Sequence, residues 1–144
     1  MNTNKTYTIK KNIMPTWYII DANEKILGRL SSKIAKLLKG KNDIYYRPDT
    51  IPNIYIIVIN ATSINISGRK KEQKLYKRHS GRPGGMKVET FQELQIRQPI
   101  KIIEKSIRGM LPKNKLGRKM FTKLKVYPNN IHPHSAQKPN IVTL

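Results

Sequence analysis

Cysteine is absent from all 144 residues. Disulfides, thiolate-ligated zinc and a thiol nucleophile are therefore excluded. Acidic residues are the next scarcity: 8 Asp and Glu stand against 29 Lys and Arg, for a formal net charge of +21. Those carboxylates are scattered along the chain, so no cluster suits two-metal chemistry. Long apolar runs are missing as well. The longest, Ile54-Tyr55-Ile56-Ile57-Val58-Ile59, has the length of a strand, far short of the ~20 apolar residues of a membrane-spanning helix. The N-terminus shows neither an apolar signal core nor a long Arg/Ser-rich transit segment. The expectation is a protein made where it works.

What is present suffices for one modest hydrophobic core, since 38% of residues are apolar and the length is that of a single domain. A polar arm over residues 1–15, a single α/β domain over 16–127 and an extended tail over 128–144 are expected. Trp17-Tyr18-Ile19-Ile20 reads as a strand closed by the turn chemistry of Asp21-Ala22-Asn23. Leu27, Leu30, Ile34, Leu37 and Leu38 fall on one side of a helix, with Arg29, Ser32, Lys33, Lys36 and Lys39 opposite and Gly40 at the C-terminal cap position. The Ile54–Ile59 run lacks alternation, which predicts a strand covered on both faces, as in a parallel sheet. Strand, helix and buried strand together make a right-handed βαβ unit.

Beyond it, Ser67 to Lys87 is Gly-rich and basic, and reads as a long binding loop because Gly81-Arg82-Pro83-Gly84-Gly85 interrupts any helix or central strand. Thr90 suits the cap of a short helix through Arg97. Pro99 suits the first turn of another, with Ile100, Ile103, Ile107 and Met110 at helical spacing and Met110-Leu111 completing its apolar face. A further helix is expected near Leu116 to Lys123, then a short strand at Leu124–Tyr127.

The excess positive charge opposes compact folding unless something acidic and abundant neutralises it. Two clusters carry it. Arg69, Lys70, Lys71, Lys74, Lys77, Arg78 and Arg82 crowd one segment against Glu72 alone. After Glu104 no acid occurs, while Lys105, Arg108, Lys113, Lys115, Arg118, Lys119, Lys123, Lys125 and Lys138 accumulate. A solvated lysine face is normally interspersed with acids; their absence here points to phosphates. Tyr76, His79 and glycine amides interleave the first cluster and suit unpaired nucleotides. Nucleic-acid binding is the reading that follows. Against catalysis, Gly84-Gly85 lacks the Lys-Ser/Thr sequel of a phosphate-binding loop, and Ser80 beside His79 is no dyad by adjacency. His132-x-His134 is half a metal site at most. Trp17 suits a core or sheet-edge position better than a stacking platform, because Tyr18 and two isoleucines extend its strand, and Tyr45-Tyr46 suit packing or RNA contact equally.

The residues also carry a resemblance. Trp17-Tyr18-Ile19-Ile20-Asp21 with Leu27-Gly28-Arg29-Leu30, Gly40-Lys41, Val58-Ile59-Asn60-Ala61 and Ser67-Gly68-Arg69-Lys70 resemble the universal large-subunit ribosomal protein family thirteen. So do the run from Lys74 to Gly85, Gly109-Met110-Leu111-Pro112-Lys113, Leu116 to Phe121, Lys123 to Tyr127, and His132-Pro133-His134-Ser135-Ala136-Gln137-Lys138-Pro139. The likeness covers residues 16–139 and is nearest the bacterial and plastid branch. It implies a three-layer α/β/α domain around a small, mostly parallel sheet, with a basic loop and an extended C-terminal tail. It implies a non-catalytic constituent of the large ribosomal subunit, binding 23S-type rRNA beside neighbouring ribosomal proteins and supporting early assembly and translation. No cofactor, metal, membrane or free homo-oligomer is implied. The expected RNA-contacting set is Lys41, Arg69, Lys70, Lys74, Lys77, Arg78, His79, Arg82, Gly84, Gly85 and Lys87, with Arg108, Lys113, Lys115, Arg118, Lys119, Lys123, Lys125, His132, His134, Gln137 and Lys138. Ile51-Pro52-Asn53-Ile54 departs from the family's usual Asp-Thr-Gly-Asp turn. The N-terminal lead is longer than in many bacterial members. With 21 Ile, 21 Lys and 12 Asn, an AT-rich codon bias, it favours a plastid-encoded copy, with the bacterial cytoplasm as the alternative location.

Overall fold

A computed structural model describes residues 14–44 and 46–143. The expected arm and Tyr45 fall largely or wholly outside that range. β1 (Thr16–Asp21), α1 (Leu27–Leu38) and β2 (Ile54–Ile59) form the βαβ unit, with β1 and β2 parallel and Trp17 opposite Tyr55. α1 buries Leu27, Leu30, Ile34, Ala35 and Leu38 and leaves Arg29, Lys33 and Lys36 outside. Gly40 ends the helix with φ +69°, the left-handed region that a Cβ disfavours. In β2, Ile56 and Val58 join the main core while Ile57 and Ile59, on the other face by strand alternation, are buried too. The expectation of a strand covered on both sides holds.

The second half adds α2 (Lys70–Gln73), β3 (Leu75–His79), β4 (Met86–Thr90), α3 (Phe91–Arg97), α4 (Pro99–Met110), α5 (Lys115–Phe121) and β5 (Leu124–Val126). A last strand, β6 (Asn140–Ile141), follows a single 3-10 turn at Ser135–Gln137. The main sheet runs β5-β2-β1-β6 and every pairing in it is parallel. α1 packs on α4, and α3 and α4 pack together, giving the helix-flanked α/β arrangement that the resemblance implies.

Local chemistry sets the boundaries. Thr90 caps α3 in a complete capping box: its hydroxyl accepts from the Glu93 amide, and the Glu93 carboxylate accepts from the Thr90 amide at 2.8 Å. Pro99 opens α4 at the position where no amide is needed. Asn114 caps α5, accepting from the Gly117 amide at 2.8 Å. Ile102, Ile103 and Ile107 are the buried face of α4.

Three expectations need correction. Ser67–Lys87 is not a long loop: it holds α2 and an antiparallel hairpin, β3 with β4, and only Ser80–Gly85 forms the connection. The glycines that break a helix are those a tight reversal requires, with φ +89° at Gly81 and +70° at Gly84. Met110 does not complete the apolar face of α4, because it is exposed, whereas Leu111 is buried. The stretch after Pro128 is not merely a tail, because it buries surface. β6 pairs with β1, the Val142 amide donates to the Ile19 carbonyl at 2.9 Å, and Val142 packs against the core.

Candidate nucleic-acid interface

The core is almost free of polarity: Ser31 is the buried polar side chain among the described residues. The cations are thus displaced to the elements around it, and their placement separates two groups.

The first group lies on the hairpin and its approach. Arg69 precedes α2, and the Lys70 ammonium donates to Ser67 Oγ at 3.2 Å. Lys74 and Lys105 both lie over the Tyr76 ring, at 5.4 and 5.1 Å from its centroid, while Tyr76 packs against Phe91. Burial raises the pKa of the Tyr76 hydroxyl and keeps it neutral. Strand alternation then puts Leu75, Lys77, His79, Met86 and Val88 on the outer face. On the Tyr76 face Arg78 stands directly opposite Lys87. Like charges at that position repel. The one acid of β4, Glu89, is already bound to Arg97 through a 2.5 Å ion pair. At the tip, His79 Nδ1 accepts from the Gly81 amide at 2.9 Å and the Gly85 amide donates to the Arg82 carbonyl at 2.9 Å. A Cβ on Gly85 would collide with the Ser80 side chain. Gly84 and Gly85 are therefore explained by the turn itself, which presents Arg82 outward.

The second group lies on the α4–α5 side. Arg108, Lys113, Lys115, Arg118 and Lys119 are all exposed there. Lys41, just past α1, and Gln137 and Lys138 in the tail are also exposed, on separate elements. Lys125 is half-buried on the edge strand β5, opposite Ile57.

Three of the expected contact residues are engaged within the fold. The Lys123 ammonium donates to the Pro52 carbonyl at 2.6 Å and to Asn53 Oδ1 at 3.4 Å, and it lies 5.3 Å from the Tyr55 ring centroid. Desolvation lowers its pKa. The divergent turn at Ile51–Ile54 is thus tied down from β5's end, and Gly40 packs closely against Pro52 on its other side. His134 Nε2 shares a 2.8 Å hydrogen bond with the Tyr127 hydroxyl, and His132 Nδ1 accepts from the His134 amide at 3.2 Å. Trp17 stacks on Tyr55 at 4.5 Å and lies 5.2 Å from His134. Trp17 thereby takes a packing role near the start of β1. Desolvation, then His132 and Lys125, lower the His134 pKa and favour its neutral ring. A tertiary partner forty residues or more away reads identically to a free cation in sequence, so no local signal separated Lys123 from its neighbours.

An almost wholly apolar core on a parallel sheet, with its cations on surrounding hairpin, helix and tail, defines a class: a basic structural protein that works through its surface. Within that class the chain belongs to the ribosomal protein L13 family, whose family model matches residues 15–133. These are structural ribosomal proteins, not enzymes. Over 140 residues the chain is 59% identical to the large ribosomal subunit protein uL13c of Gracilaria tenuistipitata var. liui, covering 97% of this chain and 98% of the relative. It is 57% identical to uL13c of Pyropia yezoensis (94% and 96% covered). It is 58% identical to uL13 of the cyanobacterium Picosynechococcus sp. (89% and 85% covered). Red-algal and cyanobacterial relatives together support assignment to the plastid ribosome.

Proposed function

We propose that this protein is a constituent of the large subunit of a plastid ribosome, where it binds 23S-type rRNA and supports early assembly of the subunit and translation. The observation that carries the RNA reading is the hairpin: an exposed pair of strands with Arg78 and Lys87 opposed and their only local acid engaged by Arg97. Such a ribbon is a poor free-standing structure and a good one beside a polyanion. Arg69, Lys70, Lys74, Lys77, Arg78, Arg82 and Lys87 would meet phosphates from that side. Arg108, Lys113, Lys115, Arg118 and Lys119 would do so from the α4–α5 side, with Lys41, Lys125 and Lys138 as outlying contacts. His79, Gly84 and Gly85 shape the hairpin tip. Lys123, His132 and His134 position other groups, and Gln137 belongs to the tail turn.

Sedimentation of a plastid extract at low salt tests the assignment: the protein should travel with the large subunit, and recovery at the top of the gradient would refute it. Titration of naked large-subunit rRNA tests the mechanism. Affinity should fall steeply with salt, and replacing Arg118 and Lys119 together by Ala should flatten the log-affinity against log-salt slope by about 1–2 units, at ~0.7–0.9 per lost phosphate contact. An unchanged slope would remove those two side chains from the interface.

A further inference from the structure

We propose that the cleft between the C-terminal end of α4 and α5 seats one unpaired rRNA nucleotide, its base on the apolar lining and its phosphate among the lining cations; this rests on the rRNA-binding reading above. The cleft has a volume of about 640 Å³, within the ~300–1,000 Å³ range of small-ligand pockets. Its apolar lining is Leu111, Pro112 and Phe121. Lys105, Arg108, Lys113 and Arg118 line it too, and among the described residues no carboxylate does. Glu104, the acid of α4, lines a separate cavity with Arg97 and Pro99.

Two glycines keep this space open by different means. Gly109 sits inside α4, where glycine costs about 1 kcal/mol of helix stability relative to alanine. Gly109 lines the cleft, and a Cβ there would meet nothing within 4 Å of the described residues, so packing does not demand the glycine and a side chain at 109 has open space to occupy. Gly117 is the opposite case. A Cβ on it would collide with the Pro112 carbonyl, so its absence lets α5 close against the connecting segment and form the far wall.

The lining selects its occupant. Four cations beside an apolar, aromatic-bearing lining fit a ligand that offers a phosphate and a flat ring within one residue's length. A base-paired nucleotide keeps its ring inside the stack and cannot offer it. An unpaired one offers both, and base stacking on aromatic and guanidinium planes tolerates any sequence. Position agrees with charge: Lys105 spans from this cleft to the Tyr76 ring, joining the cleft to the basic hairpin along one surface.

Gly109→Leu is the decisive variant, because it adds bulk at a residue lining the cleft, removes no cation and favours helix. Binding to naked large-subunit rRNA is measured across a salt series, with thermal melting of the free protein and chemical probing of unpaired bases in the complex. The full chain is used throughout. Gly109→Leu should melt no lower than wild type and keep the wild-type salt slope. It should bind about 5- to 100-fold more weakly, the loss of one stacked base, and should restore the reactivity of a single base that wild type protects. Gly109→Ala, whose methyl leaves the cleft open, should bind within about twofold of wild type. Normal binding by a normally melting Gly109→Leu protein would overturn the nucleotide seat while leaving rRNA binding intact. So would a defect confined to incorporation into subunits, which would mark the cleft as a protein contact. Failure of wild type itself to bind rRNA would overturn both readings.

Discussion

Lys119 and Lys123 are four residues apart and have opposite employments. Lys119 stands exposed on α5, whereas Lys123 turns inward, gives its ammonium to the Pro52 carbonyl and has its pKa lowered by burial. A charged side chain is assigned by what it faces, and the same holds on α1. Leu30 is 2% exposed there and Lys36 lies on the outer side. Leu30→Asp should cost about 3 kcal/mol or more by burying a carboxylate without a partner. Lys36→Ala should change stability by less than about 0.5 kcal/mol. Equal losses in thermal melts would contradict this orientation of the helix. His134 gives a second residue-scale expectation. Its pKa lies below the ordinary 6.5 in the folded protein, so between the two values the unfolded chain binds the extra proton. Stability from the neutral ring is then fully present above pH 6.5, declines as pH falls below it, and levels off beneath the folded-state value. Melting temperature should drop as pH is lowered from 7 through 6. His134→Gln, which cannot titrate, should show a shallower drop over that window.

At the scale of elements, the hairpin and the main sheet differ in what secures them. β1 and β2 share six register pairs and bury Ile20, Ile56 and Val58. Among the described residues β3 and β4 pair only with each other, and of their side chains Tyr76 is the one that packs against the core. A two-stranded ribbon is marginal in water unless a face is buried. Amide exchange in the free protein should therefore be rapid over residues 77–86 and slow in Ile19, Ile20 and Ile56–Val58, with rRNA binding slowing the former. Uniform protection in the free protein would contradict this. Three helices were legible from local signals: capping chemistry at Thr90 for α3, proline at 99 for α4 and the apolar stripe of α1 all act within a turn of the residue concerned, whereas the single turn of α2 has no such signal. The hairpin was not, because its strands mix Lys, Arg and Tyr with few alternating apolar positions. Its defining feature is the pairing of Arg78 with Lys87 across a glycine-rich reversal, a contact that periodicity cannot register.

For the whole molecule, a net charge of +21 sits on a single small core, and the resulting repulsion is a global term in stability. Raising monovalent salt from about 20 to 200 mM shortens the Debye length from roughly 20 Å to below 10 Å, so the free protein should melt at higher temperature across that range. Complexes with rRNA should respond in the reverse sense, since salt competes for the phosphates. A free-protein melting temperature that falls with added salt would mean that attractive ion pairs outweigh the repulsion. The same bookkeeping shows why the last residues matter: β6 is the strand that covers the β1 edge, and Val142 extends the core beneath it.

The sequence by itself determined the βαβ unit, the buried character of Ile54–Ile59, the extents of α1, α3 and α4 and the excess of cations, because each depends on spacing, capping or composition within a short window. It also carried the family likeness, since the motifs lie in order along the chain. Tertiary structure alone decided which cations remain available and which are spent inside the fold. It placed the fourth strand at the sheet edge, turned the basic loop into a hairpin, and opened the cleft between α4 and α5. Most of these rest on contacts between segments remote in sequence, such as Lys123 with Pro52 and Val142 with Ile19. Their energies depend on distance in space, which residue order does not specify.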